Sequence, residues 1–172
     1  MSLKVNRLTN ANVYLNGNNL LGQAAEINLP EIKHMMSEHQ ALGMVGKVEL
    51  FAGIDKMEAK IKWNSFYADT IKAVANPTVA LQLQCRGNVE TYEAAGRTDQ
   101  KAAVCYFTGF AKNIPTGNFK QHDNVELETM FTVTYVKLEI GAVVLYELDV
   151  LSNIFKVNGV DILAEYKANI GA

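Results

Sequence analysis

The chain has 172 residues and a mass of 19.0 kDa; 49% of its residues are hydrophobic and 20% charged, with a formal charge of -2 and a pI near 5.9. About 70% of the extended surface of a chain this long can be buried, so a core forms without disulfide or metal staples, and the composition excludes a disordered chain. The acidic balance argues against a dedicated nucleic-acid binder, whose footprint is a strong positive excess or a basic patch.

The first residues, MSLKVNRLTNANVYLNG, lack the long apolar core and small-residue cleavage site of a secretory signal. No window holds 18 uninterrupted apolar residues, so the expectation is a soluble protein with no membrane partner. Val13-Tyr14-Leu15, Asn16-Gly17 and Leu20-Leu21 predict a tight hairpin, since Asn-Gly supplies the positive φ angles of a primed turn. Ala25, Ile27 and Leu29 alternate with Glu26 and Asn28 until Pro30 stops or redirects the strand.

The segment KVELFAGIDKMEAKIKW is the most informative, and it predicts a ribbon over 47–63. Val48, Leu50 and Ala52 share one face of its first strand, opposite Lys47 and Glu49. After Gly53-Ile54-Asp55, Met57, Ala59, Ile61 and Trp63 alternate with Lys56, Glu58, Lys60 and Lys62. One face is apolar and the other charged, the pattern of a ribbon packed on one side and wet on the other.

Ser65 is placed as the cap of a helix over 66–75, which Asn76-Pro77 ends. Alternation restarts at Val79, Leu81 and Leu83. The polar run 88–100 reads as an exposed turn or a long hairpin connection, and a strand follows through 104–110. From 125 to 140 the alternation is sustained. Val125, Leu127, Phe131, Val133 and Tyr135 take one face and Glu126, Glu128, Thr132 and Thr134 the other. A strand over 143–148, a turn at Asn158-Gly159 and a final helix over 161–169 capped by Asp161 complete the chain. One mainly β domain over 1–172, a sandwich or barrel with two short helices, fits these elements.

The search for chemistry returns little. There is no nucleophile elbow, no HExxH and no phosphate-binding loop, and Gly43-Met44-Val45-Gly46 has the wrong spacing for one. His34, His39 and His122 do not sit near a cysteine in sequence, so no metal is expected. Cys85 and Cys105 read as buried thiols, with a disulfide between adjacent strands left open. Asp55 and Glu58 lie beside Lys56, Lys60 and Lys62 on a regular ribbon, where a solvated charged face explains them better than acid–base work. No cofactor and no enzymatic activity are expected. Long alternating strands create edges that a single chain must hide, and copies of the same chain can close them.

The ordered set Asn12-Val13-Tyr14-Leu15-Asn16-Gly17, Leu29-Pro30, Gly43-Met44, Met57-Glu58-Ala59-Lys60, Thr116-Gly117 with Lys120, Tyr135 with Lys137-Leu138, Tyr146-Glu147 with Asp149, Val157-Asn158-Gly159-Val160-Asp161 and Asn169-Ile170-Gly171 resembles the major tail tube proteins of contractile-tailed, P2-like phages and the related R-type tailocins. The resemblance implies a tail-tube fold whose extended hairpins form an inner β-barrel within stacked hexameric rings. It implies a virion tail made in the bacterial cytoplasm, with sheath, baseplate and tail terminator proteins as partners and DNA passing through the lumen unbound. By position, 31–46 becomes a contact arm toward neighbouring subunits, and 47–63 with 125–137 become lumen-forming elements. Lys47, Glu49, Glu58, Lys60, Lys62, Glu126 and Glu128 would face the lumen; Val48, Leu50, Ala52, Met57, Ala59, Ile61 and Trp63 would face the protein layer. The alternatives are a type VI secretion inner tube, which shares the ring logic, and a monomeric β-barrel that binds a small ligand.

Overall fold

A computed structural model describes residues 3–119, 121–123 and 125–171 of the chain; Lys120, part of the resemblance above, lies outside them. The strands are β1 (Val5–Leu15), β2 (Asn18–Asn19), β3 (Ala24–Asn28), β4 (His34–His39), β5 (Val48–Ile54), β6 (Met57–Trp63), β7 (Leu81–Glu93), β8 (Gly96–Ala111), β9 (Leu127–Ile140), β10 (Val143–Asp149), β11 (Ile154–Val157) and β12 (Val160–Asp161). The helices are α1 (Ala68–Val74) and α2 (Ala164–Ile170). The chain is thus mostly β with two short helices, and every strand pairing is antiparallel.

The long sheet runs β12-β11-β10-β9-β8-β7-β1-β2, with β6 bridging β9 to β3. Strand β9 is the branch point: Leu127–Val133 pairs with β6 and Tyr135–Ile140 with β10, while β8 runs along the opposite edge. A bulge between the Thr108–Tyr135 and Gly109–Val133 pairs separates the two halves. The extra residue, Thr134, uses its carbonyl to accept the Val150 N–H at 3.0 Å. This bulge corrects the expected face assignment at the end of the strand. Val125, Leu127, Phe131 and Val133 are buried, but the inserted residue passes the inward position to Val136 and leaves Tyr135 half-buried.

Gly109 makes that bulge possible. A Cβ there would lie 2.2 Å from the Thr132 carbonyl oxygen and 3.1 Å from Val133 Cα, both backbone atoms that no side-chain rotation can clear. Gly109→Ala is expected to lower stability by about 3 kcal/mol or more, read by urea titration. Gly46→Ala, with open space around it, serves as the neutral control.

From β3 through β6, β9, β8 and β7 to β1 the strands curl around a single core of Val13, Leu83, Phe107, Phe131, Ile61 and Trp63, among others. Trp63 Nε1 donates to Thr129 Oγ1 at 3.0 Å, so the indole and a threonine that is wholly inside the core satisfy each other. The curl does not close into a barrel. Strand β1 pairs with β7 and, at its end, β2, whereas β3 pairs with β6, so β1 and β3 face each other across a cleft.

Several local expectations need correction. The 47–63 ribbon does not exist as a hairpin: β5 pairs with β4, and β6 with β3 and β9. The Asp55-Lys56 link has neither of the positive φ angles that a two-residue hairpin loop requires, so the chain crosses there instead of reversing. Asn16-Gly17 and Asn158-Gly159 do have them, with φ of 48° and 82° and of 50° and 83°, and both make the expected turns. The polar run 88–100 does form a hairpin, but as regular paired strands and not as an irregular connection. Strands β7 and β8 continue through it to a turn at Ala94-Ala95, as a ribbon wet enough on both sides to hide its period. Ser65 does not cap α1, whose N-cap is Tyr67 without a side-chain bond. Asp161 lies in β12, two residues before the Leu163 N-cap of α2. It accepts the Leu163 N–H at 3.0 Å and Lys167 Nζ at 2.7 Å, and these bonds hold its carboxyl below the usual range.

Candidate functional site

Strands β3, β6, β9 and the end of β8 have one buried face and one wet face, because their side chains alternate with period two. Met57, Ala59, Ile61 and Trp63 all point into the core. On the opposite face stand Glu26, Glu58, Lys60, Lys62 and Glu128, with Lys112 just beyond β8. Four lysines, Lys56 among them, meet three glutamates there, with the exposed Glu126 beside Lys62 as the fourth carboxylate, and each lysine is matched. Lys60 pairs with Glu128 at 2.7 Å, Lys62 with Glu26 at 2.6 Å, and Lys112 with Glu58, which Lys56 also approaches at 3.2 Å.

The bond from Lys62 holds the Glu26 carboxyl below its ordinary range and raises the Lys62 ammonium in turn. Bonds from Lys112 and then Lys56 lower Glu58 in the same way. Such exposed pairs add little to stability. Their effect on the surface is larger: the face carries many charges, sums to neutrality and leaves its lysines engaged.

The sequence-derived candidates divide between two places. Glu58, Lys60, Lys62 and Glu128 share the paired face, and Glu126 is exposed just ahead of β9. Lys47 and Glu49 lie elsewhere, with the β4–β5 hairpin, where Lys47 pairs with Glu38 at 2.7 Å and Glu49 stands opposite Glu38. Val48, Leu50 and Ala52 belong to the same hairpin and are exposed, so they do not share a packed layer with Met57, Ala59, Ile61 and Trp63. Glu26 and Lys112 complete the neutral face but were not singled out from sequence. The alternation of Glu26 with Ala25 and Ile27 was a usable signal, whereas nothing local marked Lys112.

The β4–β5 hairpin is a second feature. It forms its own two-stranded sheet, and the 31–46 arm expected from sequence is only its first strand and tip. Its base is anchored by His34, whose ring meets Phe51 edge-on at 5.6 Å and Phe155 at 6.2 Å. Beyond the base its side chains are exposed, including Met35, Met36, Leu42, Val45, Leu50 and Phe51.

Catalytic chemistry has little to work with. No group of three histidine, cysteine or acidic side chains among the described residues is placed to hold a metal ion. Cys85 and Cys105 face each other across β7 and β8 as free thiols, and burial pushes both up to about 12, far from a reactive thiolate.

Comparison with known proteins follows the same direction. The family described as "Phage tail tube protein FII" matches residues 5–171. The tail tube protein of Escherichia phage P2 is 28% identical over 164 residues, covering 93% of this chain and 94% of that one. Two chains from solved structures of an extracellular contractile injection system share the fold at 12% identity and a TM-score of 0.54. One comes from the PVC sheath/tube terminator in the extended state, and the match covers 75% of this chain and 92% of that chain. The other comes from the PVC sheath-tube complex in the extended state, with 75% and 87% covered.

Proposed function

Because this chain belongs to the phage tail tube protein FII family, and is therefore a structural tail protein and not an enzyme, we propose that it builds the inner tube of a contractile tail as stacked hexameric rings around a channel for DNA. The observation that carries the channel reading is the neutral, paired face of β3, β6, β9 and β8. A surface past which a polyanion must slide should not release counterions on contact, because each phosphate neutralised by a free cation adds salt-dependent affinity. A lysine already held by a carboxylate is a poor partner for phosphate. In this reading Glu26, Glu58, Lys60, Lys62, Lys112 and Glu128 line the lumen, and the buried row of β6 supports them from behind.

The same reading accounts for the edges. Strand β3 pairs on one side with β6, and its other edge is available to a neighbouring copy, which would extend four strands per subunit into a continuous inner barrel. The β4–β5 hairpin would reach adjacent subunits. The outer surface would meet the sheath, and the ends of the tube the baseplate and terminator, within a virion tail.

Negative-stain electron microscopy and native mass spectrometry of the purified chain test this. Six-membered rings or stacked tubes with an open channel are expected. A strict monomer at high concentration would refute the assembly.

A further inference from the structure

The chain contains two Asn-Gly dipeptides, Asn16-Gly17 and Asn158-Gly159, and each forms a two-residue turn with both residues at positive φ. Asparagine is thermally labile, and most of all before glycine, whose missing Cβ lets the backbone nitrogen approach the side-chain amide. The glycine nitrogen, on losing its proton, attacks Cγ of the asparagine. A C–N bond forms, the Cγ–Nδ2 bond breaks, and ammonia leaves behind a five-membered succinimide. One water then opens the ring at either carbonyl, giving an aspartyl or an isoaspartyl residue. The reaction needs no oxidant and no cofactor, only freedom for the side chain and the turn to move.

The two turns match in backbone and differ in that freedom. The Asn16 N–H donates to the Gln82 carbonyl at 2.8 Å, and the Asn158 N–H to the Leu145 carbonyl at 3.0 Å. Asn16 is held a second time, because its Oδ1 accepts the Gln82 N–H at 2.9 Å. The side chain of Asn158 is exposed and has no hydrogen bond among the described residues. The flanks differ in the same direction. Leu15 and Leu20, around the first turn, are buried in the core, whereas Val157 and Val160, which pair across the second, are exposed. Opening the first turn draws apolar side chains into water, and opening the second does not.

We propose that Asn158 is a site of spontaneous succinimide formation, and that its isoaspartyl product unties β12 and α2 from the sheet. An isoaspartyl residue routes the backbone through the side-chain carbon. The link gains one backbone carbon, and a two-residue turn no longer spans the Val157–Val160 pair. Asp161 moves with β12, and Asp161 is a clasp: its carboxylate accepts the Phe155 N–H at 3.4 Å, the Leu163 N–H at 3.0 Å and Lys167 Nζ at 2.7 Å. Helix α2 has no buried residue, so its hold on the sheet is this clasp and the half-buried Leu163 before it. An ordinary aspartyl product keeps the turn, because aspartate tolerates positive φ as asparagine does. The turn is thus an irreversible timer whose outcome is written in the C-terminal segment.

Ageing the folded full chain in mildly alkaline buffer tests it. Peptide mapping with electron-transfer fragmentation tells aspartyl from isoaspartyl residues. It should find conversion at Asn158 at least fivefold faster than at Asn16, since one ordinary hydrogen bond is worth about that factor. In concentrated urea the two rates should converge, because only the fold separates them. Hydrogen exchange should show protection lost over 160–170 in molecules carrying the isoaspartyl link, with β7, β8 and β9 unchanged. Asn158→Asp, which adds the charge without the extra carbon, should keep that protection. Conversion of Asn16 as fast as Asn158 in the folded chain, or of neither, would overturn the modification site. An isoaspartyl chain with α2 still protected would overturn its consequence. Neither result bears on the tube reading, which the assembly measurements test separately.

Discussion

Ile61→Asp is expected to leave no folded chain, whereas Leu50→Asp folds like the native protein and loses assembly. Sequence alternation gives both residues the same apolar character, but Ile61 is 0% and Leu50 53% exposed. Removing the buried isoleucine costs about 3 kcal/mol in lost packing. Placing a carboxylate there, with Phe131 and Trp63 in the same core and no cation to meet it, costs several kcal/mol more. The sum is comparable to the whole stability of a domain, about 5–15 kcal/mol. At Leu50 the new carboxylate stays in water, so the chain's own fold is spared and only the surface proposed to meet another copy is spoiled. Circular dichroism melts and size-exclusion chromatography separate the two effects. A cooperative melt of Ile61→Asp near the native temperature, or a melted Leu50→Asp, would contradict the division of the predicted ribbon into a core strand and an arm strand.

If the proposed channel reading holds, tubes of the triple variant Glu26→Gln/Glu58→Gln/Glu128→Gln should retain double-stranded DNA more strongly than native tubes. The substitutions keep size and hydrogen-bonding capacity but free Lys56, Lys60, Lys62 and Lys112 from their partners. Four freed lysines on one chain give a log–log salt slope of about -3.6, so retention should fall by roughly a few thousandfold across a tenfold rise in salt. Acid should imitate the variant. The carboxyls of Glu26 and Glu58 are held below their ordinary range, so they stay ionised at neutral and mildly acidic pH. Neutralisation of the lysines is lost only as pH falls through those lowered values, and DNA retention by native tubes should rise there. Equal retention by variant and native tubes at low salt would remove this face from the channel wall.

Much of the fold was legible because its cues are local. Asn16-Gly17 and Asn158-Gly159 made the predicted turns since asparagine and glycine tolerate positive φ. The strict alternation from Met57 to Trp63 named four core residues because one face of a strand must be dry. The misreadings share a cause. Alternation specifies which side chains share a face, and says nothing about which strand lies alongside. Hence β5 was assigned to β6 when its partner is β4. The extension of β7 and β8 past Asn88 was missed because a ribbon wet on both sides has no hydrophobic period to read.

For the candidate site, the sequence by itself determined that Glu58, Lys60, Lys62 and Glu128 stand on the wet face of strands whose other face is buried, and the ordered motifs pointed to the family. Only the tertiary structure decided that Glu26 and Lys112 complete the set, that Lys47 and Glu49 belong to a separate hairpin, and that the sheet stops short of closing. The physical reason is reach. Period-two patterning acts between neighbours in the chain, whereas the ion pair between Lys112 and Glu58 and the gap between β1 and β3 depend on where distant strands come to rest when the core is filled.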